Sequence, residues 1–262
     1  MTGLLNVEHL SKSFGGLAAV KNVSFHVDNG KIVSIIGPNG AGKTTVFNLL
    51  TGIYAPDSGK IVLDGRDITG LRTTEMVKIG ICRTFQNIRL FSQMTVMQNV
   101  LVGYQSKIHY SMLDAILCTP RRRRADREAI RIVDEVLEKC DLLQYRNERA
   151  DALPYGKQRK LEIARAIASK PKMLFLDEPA AGLNIHETEE LSKFVRDLSA
   201  MGFDIVLIEH DMRMIMKISD YIYVLNQGEL IAEGLPAQIQ QNEEVIRAYI
   251  GRRAGTQYAV AR

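Results

Sequence analysis

A chain of 262 residues, 46% apolar and 24% charged, is long enough to bury a full core and lacks the composition of a disordered segment. A net charge of +4 is too small to argue for nucleic acid, and no run of about 18 apolar residues marks a membrane span, so any tie to a membrane is expected to come through a partner. The opening residues, Met1 to Asn6, carry no basic stretch followed by a long apolar one and read as no secretory leader. The three cysteines, Cys82, Cys118 and Cys140, have no metal-ligand spacing and read as reduced thiols.

From Leu4 to Leu10 and from Val23 to Val27, apolar and polar residues alternate on either side of Phe14-Gly15-Gly16, which predicts antiparallel strands with one wet face. Phe14 has two readings. An exposed ring there could stack on a purine base at about 1–3 kcal/mol, and a buried ring would be ordinary core. The wholly apolar-flanked run Ile32-Val33-Ser34-Ile35-Ile36 predicts a buried strand. It feeds Gly37, Pro38, Asn39, Gly40, Ala41, Gly42, Lys43 and Thr44, and a helix follows over Val46 to Leu50. This is the G-x-x-x-x-G-K-[ST] pattern in its proper strand-loop-helix setting. Glycines let backbone N–H groups curl round a phosphate, the helix N-terminus adds positive potential, Lys43 can reach β and γ phosphates, and the Thr44 hydroxyl can ligate Mg²⁺. Ile61-Val62-Leu63, stopped by Asp64-Gly65, reads as a further strand.

Arg83-Thr84-Phe85-Gln86-Asn87 reads as a strand end. Gln86 could donate to an attacking water or weakly ligate Mg²⁺, though taken alone it is an ordinary surface amide. The stretch from Ser106 to Arg124 is irregular and ends in four arginines, Arg121 to Arg124, read first as a solvated loop face, second as a juxtamembrane or headgroup contact and a distant third as a nucleic-acid patch, since no aromatics interleave them. From Ala125 the pattern turns helical, with Ile130, Val133, Leu137 and Cys140 on one stripe and Glu135 paired with Lys139 outside. Leu153-Pro154-Tyr155-Gly156-Lys157-Gln158-Arg159 precedes an amphipathic helix, Leu161 to Ala168, closed by Lys170-Pro171. Gly156 at its mouth is either a second anion site or a plain turn.

Met173-Leu174-Phe175-Leu176 is wholly apolar, as suits a covered parallel strand, and Asp177-Glu178 stand at its carboxyl end, where open α/β sheets place ligands. One carboxylate suits Mg²⁺ and its neighbour suits polarising a water; as an alternative the pair caps the next helix. Asp204 to Ile208 predicts another strand. It ends in Glu209-His210-Asp211, with His210 either a phosphate or water partner or a structural histidine. Tyr221 to Leu225, Asn226-Gln227-Gly228 and Glu229 to Ala232 read as a hairpin, a single helix is expected from Pro236 to Ile250, and 252–262 reads as a mobile tail.

The order of these pieces resembles the ATP-binding subunits of ABC transporters, over nearly the whole chain. Within that superfamily, Gly37 to Thr45, Arg83-Thr84-Phe85-Gln86, Leu161 to Ala166, Asp177 to Asn184, Ile208 to Met212 and Asn226-Gln227-Gly228 are similar to the Liv-type subunits that drive branched-chain amino acid import. The resemblance implies an α/β P-loop NTPase with a mixed, largely parallel core sheet, an N-terminal antiparallel β subdomain and a helical subdomain over about 88–168, within one ABC ATPase domain spanning 1–251. It implies that Gly37 to Thr45, Thr45 included, cradle ATP. Phe14 would stack on adenine, Thr44, Gln86 and Asp177 would serve Mg²⁺, with Gln86 also sensing the transmembrane partner, Glu178 would be the general base, and His210 the switch. The implied partners are a second ATP-binding subunit, two membrane permease subunits and, indirectly, a periplasmic solute-binding protein, with no nucleic acid. The implied location is cytoplasmic, peripheral on the inner face of the cell membrane.

Two positions depart from the superfamily pattern. The loop that contacts the opposite subunit's nucleotide is usually Leu-Ser-Gly-Gly-Gln; here Pro154 and Tyr155 replace its Ser and first Gly, Gly156 is kept, and Lys157 replaces its Gln. Proline offers neither a hydroxyl nor an N–H. Asn184 stands where an aspartate is commoner. A dimer of two unlike subunits is therefore expected, with one efficient site and one slow site capped by Pro154 to Lys157. Two rival classes fit less well. A soluble ABC-type ATPase working on ribosomes or DNA would need paired cassettes, a long helical insertion or a basic face, and a non-hydrolysing regulatory subunit would not need Lys43, Asp177 and Glu178.

Overall fold

The computed structural model describes residues 4–108, 114, 117 and 119–250. The readings made for Met1 to Gly3, Cys118 and the tail 252–262 lie outside the described residues. In chain order the strands are β1 (Leu5–Phe14), β2 (Leu17–Val27), β3 (Ile32–Ile36), β4 (Ser58–Leu63), β5 (Arg66–Asp67), β6 (Ile81–Arg83), β7 (Met173–Asp177), β8 (Asp204–Ile208), β9 (Tyr221–Asn226) and β10 (Glu229–Gly234). The α-helices are α1 (Lys43–Leu50), α2 (Thr73–Lys78), α3 (Val96–Tyr104), α4 (Pro120–Lys139), α5 (Tyr155–Ala168), α6 (Ile185–Ala200), α7 (Met212–Ile218), α8 (Pro236–Gln241) and α9 (Glu243–Ile250). They form two compact units, one of the stretch up to Met76 together with that from Asp204 onward, the other Val77–Phe203.

The first unit holds two sheets. β2, β1, β4 and β5 pair antiparallel throughout. Both strands of the first hairpin outrun the alternation that announced them, so Gly15-Gly16 is the turn itself and Phe14 the last strand residue. The other sheet is mixed: β3 pairs parallel with β8 and with β9, and β9 pairs antiparallel with β10. Every residue of β3 and β8 is buried, which is why both read as runs apolar but for Ser34 and the opening Asp204. The one polar side chain inside β3, Ser34, bonds the Ser219 hydroxyl at 2.6 Å, so its burial leaves no unmet group. Ile36, Ile215, Ile222, Val224, Ile239 and Val245 form a core under the C-terminal helices, each such side chain contributing about 1.5–3 kcal/mol.

The single helix expected from Pro236 to Ile250 is corrected to two, α8 and α9. Asn242 ends the first and caps the second, its side chain accepting from the N–H groups of Glu244 at 2.9 Å and Val245 at 3.2 Å. A side-chain amide that satisfies those donors takes the place of the continuing helix.

In the second unit β6 and β7 run parallel, Arg83 opposite Phe175, with α3, α4, α5 and α6 alongside in sequence; it includes the stretch 88–168 expected to be helical. The irregular loop expected through Arg124 is corrected at its end. α4 starts at Pro120, where a missing N–H costs nothing, and Thr119 caps it by accepting from the Arg122 N–H. Arg121 to Arg124 therefore lie on the first turn of a helix. Its buried stripe is Ala129, Ile132, Val133 and Leu137, ending on Cys140; Ile130 is 40% exposed, because position 129 rather than 130 comes under Val133 on the packed side. Glu135 takes the longer, planar Arg131 guanidinium as partner at 2.9 Å in place of Lys139. Burial pushes the Cys140 thiol up to about 12, so it is a packing residue with an inert sulfur.

Candidate functional site

In the first unit the phosphate loop follows from the strand before it and the helix after it. β3 delivers the chain at full burial, Gly37 lies at φ 152° and Gly42 at φ 101°. A Cβ on Gly37 would stand 2.1 Å from the Leu225 carbonyl oxygen, and one on Gly42 would stand 2.5 Å from that of Ala19. The backbone passes so close to its neighbours that only glycine fits. Gly42 is the N-cap of α1, no side chain caps the helix, and no acid lies in its first turn. Its positive end is thus directed to an external anion. Lys43, 8% exposed, donates to the carbonyls of Gly37 at 2.7 Å and Pro38 at 3.1 Å, spanning the loop that a triphosphate would occupy. A cavity of about 480 Å³ opens against the loop, lined by Gly40 to Thr45 with Leu17, Ala18, Lys21 and Gln227.

Phe14 is 42% exposed, which decides against core packing. Its ring meets that of Tyr54 edge-on at 5.1 Å and lies under the Lys12 ammonium at 5.7 Å. It does not line the cavity. His210 follows β8, its side chain 64% exposed, with Nδ1 at 3.5 Å from the buried Glu209 carboxylate. That carboxylate also accepts from the N–H groups of His210 and Asp211, at 2.8 and 3.3 Å, so the turn carrying the imidazole is held by a fixed acid.

In the second unit the two acids at the end of β7 are turned to different partners. Asp177, 5% exposed, accepts from the Arg83 guanidinium at 2.5 Å. Glu178 leaves the strand at φ 45°, a left-handed conformation that costs energy for any residue with a Cβ, and accepts from the Gln86 amide at 2.7 Å. Neither acid caps a helix: α6 begins later, capped by Asn184, which exchanges hydrogen bonds with Glu187. Gln86 is exposed, as its surface reading requires, yet bonded to the expected base. Arg83, three residues before Gln86, escaped the sequence reading; its position opposite Phe175 in the β6–β7 register is what brings it to Asp177.

Pro154 is the N-cap of α5 and supplies no side-chain bond, Tyr155 is 43% exposed, and Gly156 sits in the first turn. A Cβ on Gly156 would be 3.2 Å from Glu187 Oε1, so a carboxylate already stands near the mouth of this helix. Lys157 donates to Asp141 at 2.9 Å, and that bond holds the Asp141 carboxyl below its ordinary range. The lysine's charge is thus matched inside its own chain.

The donor types present are ones that nucleotide phosphates and Mg²⁺ take. Thr44 in the first unit and Asp177 in the second each carry the kind of hard oxygen that Mg²⁺ prefers. Among the described residues no group of three or more His, Cys, Asp or Glu could hold a metal, so such an ion would complete its shell with phosphate oxygens and water, as Mg²⁺ habitually does.

Residues 20–181 match the ABC transporter family, and 229–255 match the family described as branched-chain amino acid ATP-binding cassette transporter. The high-affinity branched-chain amino acid transport ATP-binding protein LivG of Escherichia coli (strain K12) is 49% identical over 249 residues, 95% of this chain and 98% of LivG. The solved ADP conformation of MJ1267, an ATP-binding cassette of an ABC transporter, is 31% identical with a TM-score of 0.82, over 96% of this chain and all of that one. The dimeric post-hydrolysis state of the cassette MJ0796, bound to ADP and Pi, is 25% identical with a TM-score of 0.73, over 88% of this chain and 98% of that one. With a family match over residues 20–181 and likeness to LivG along almost the entire length, the chain belongs to the ABC transporter family, as one of its ATP-binding, ATP-hydrolysing subunits in the branched-chain amino acid group.

Proposed function

We propose that this subunit turns over Mg²⁺·ATP to drive uptake of branched-chain or chemically related amino acids through two separate membrane subunits fed by a periplasmic solute-binding protein. The solute class is supported by the name of LivG, which shares half its residues with this chain over almost all of its length. No helix among the described residues is long and apolar enough to cross a membrane. That fits a peripheral place on the cytoplasmic face, with the path for solute built by other chains.

In this reading the loop Gly37 to Thr45 binds the phosphates through backbone N–H groups and the Lys43 ammonium, and Phe14 stacks on the adenine. Thr44 and Asp177, with Gln86, serve Mg²⁺, whose charge would offset that of the phosphates. Glu178 is the general base that takes a proton from the attacking water, Gln86 holding its carboxylate in place, and His210 reports the terminal phosphate. Pro154 to Lys157 face the nucleotide of a second ATP-binding subunit, as the dimeric MJ0796 cassette makes reasonable. Because Pro154 brings no donor and Lys157 is matched by Asp141, the partner is an unlike subunit with a sound loop of its own.

The observation that carries the assignment is the Gln86 amide on Glu178 beside the Arg83 guanidinium on Asp177. Two adjacent acids are separately oriented, one by a neutral amide and one by a cation, as two different tasks require. In the assembled transporter Glu178→Gln should lower ATP turnover by about 100-fold or more while nucleotide still binds, whereas Lys43→Ala should lose binding itself. Turnover within about twofold of the parent in Glu178→Gln would remove the general-base role.

A further inference from the structure

Arg159 is wholly buried in the second turn of α5, and its terminal nitrogens each reach two acceptors. Nη1 donates to the Phe85 carbonyl at 3.0 Å and to Glu162 at 3.2 Å. Nη2 donates to the Gln86 carbonyl at 2.8 Å and to the Tyr155 hydroxyl at 3.2 Å. Glu162, 2% exposed, also accepts from the Arg89 N–H at 3.2 Å. The segment 85–89 is thus gripped at one end by the cation and at the other by the anion of a single ion pair on α5. Gln86, whose carbonyl the cation holds, is the residue whose amide holds Glu178. At the start of the same helix Tyr155, bonded to Arg159, reaches the Ala181 carbonyl at 3.4 Å.

Such a pair is a poor way to gain stability. Taking two charges out of water costs so much that apolar replacements are often neutral or better. What a guanidinium does supply is a rigid planar fork whose two terminal nitrogens hold four acceptors here in one fixed geometry; an ammonium can reach two carbonyls, as Lys43 does, but its three donors cannot hold all four. Two of these acceptors are backbone oxygens of the loop that presents Gln86, so the pair's benefit lies in geometry at that loop.

We propose that Arg159 is a positioning residue for ATP hydrolysis: by forking onto the carbonyls of Phe85 and Gln86 it sets the Gln86 amide on Glu178, and through Tyr155 it ties that setting to the loop Pro154 to Lys157. The proposal rests on Glu178 being the general base. Because the cation is wholly buried and spends its terminal donors on groups of this chain, its loss acts on the chemical step and leaves ATP affinity alone.

The test uses the assembled transporter with Arg159→Met, Arg159→Lys, Gln86→Ala, Glu178→Gln and the double variant Arg159→Met with Gln86→Ala. Arg159→Met and Arg159→Lys should each lower kcat about tenfold or more with KM for ATP within about twofold. Amide exchange over residues 84–89 should speed up about tenfold or more. In the Gln86→Ala background Arg159→Met should add almost nothing, since the two act along one path. Arg159→Lys keeps the charge against Glu162 and decides the matter if Arg159→Met fails to assemble. Parental kcat in a folded Arg159→Lys, equal losses in kcat and affinity, or additive effects in the double variant would each overturn the proposal. If Glu178→Gln itself keeps its turnover, the general-base reading fails. If Glu178→Gln is dead while the Arg159 variants run at the parental rate, only this inference fails.

Discussion

Gly42 shows how little freedom the phosphate loop leaves a single residue. Its φ of 101° is left-handed, and an added methyl would meet the Ala19 carbonyl at 2.5 Å and the Gly228 Cα at 3.5 Å. Both belong to backbone that other pairings hold, the Lys21 N–H donating to the Gly228 carbonyl at 2.7 Å and the Gly228 N–H to that of Ala41 at 3.0 Å. Neither neighbour can swing aside as a side-chain tip could. Gly42→Ala should therefore lower unfolding stability by about 2 kcal/mol or more, backbone strain alone accounting for about 1–3, and weaken ATP binding with it. A denaturant midpoint and slope matching the parent would contradict the fit described for this loop. At the same scale Glu178 accepts a left-handed φ without being glycine, and it does so where its carboxylate must turn away from that of Asp177. The strain sits at the residue assigned the chemistry, and the strand before it, buried along its whole length, is what holds it there.

Among the elements, the break between α8 and α9 rests on one side chain. Asn242→Ala removes the acceptor for two N–H groups of α9 and should cost about 0.5–2 kcal/mol, the usual loss on deleting an N-cap. Fraying should stay local: amide exchange should rise in 243–250 while β9 remains protected, and uniform exchange over both elements would argue against the cap. The same break explains what the sequence could and could not reveal. β3, β7 and β8 were legible because covered parallel strands leave a largely apolar run bounded by turn residues. The phosphate loop was legible because its spacing is set by local backbone geometry. The start of α4 was missed because arginines carry no apolar period, although Thr119-Pro120 was a cap signal in plain view. Arg83 and Arg159 were missed for a deeper reason. Each bonds acceptors more than seventy positions away in sequence, and those far acceptors, which no local spacing announces, are what set it apart from a solvated charge.

For the whole molecule, the departures from the family pattern, Pro154, Tyr155, Lys157 and Asn184, all fall on residues proposed to face another subunit, while the residues proposed to serve this chain's own nucleotide keep the family's types. Gly37 to Thr45, Asp177 and Glu178 keep the residue types of the family pattern, and Asp177 and Glu178 are held by Arg83 and Gln86. Pro154 offers no donor at a helix start where serine would, Glu187 stands beside Gly156, and the Lys157 ammonium is matched by Asp141. On the proposed reading, such a subunit gains from an unlike partner whose sound loop completes the site on this chain, and gives little in return. The two sites of the assembled transporter should then differ in speed. Glu178→Gln in this chain should abolish steady-state turnover, and replacement of the matching glutamate in the partner should leave an appreciable part of it, measured on complexes carrying one change at a time. Restoring Ser at position 154 should raise the slow site toward the fast one, because a hydroxyl there regains a donor to the partner's nucleotide, worth about 0.5–1.5 kcal/mol. Equal loss of turnover from the two glutamate changes would mean that the sites work as equals and that Pro154 is no handicap.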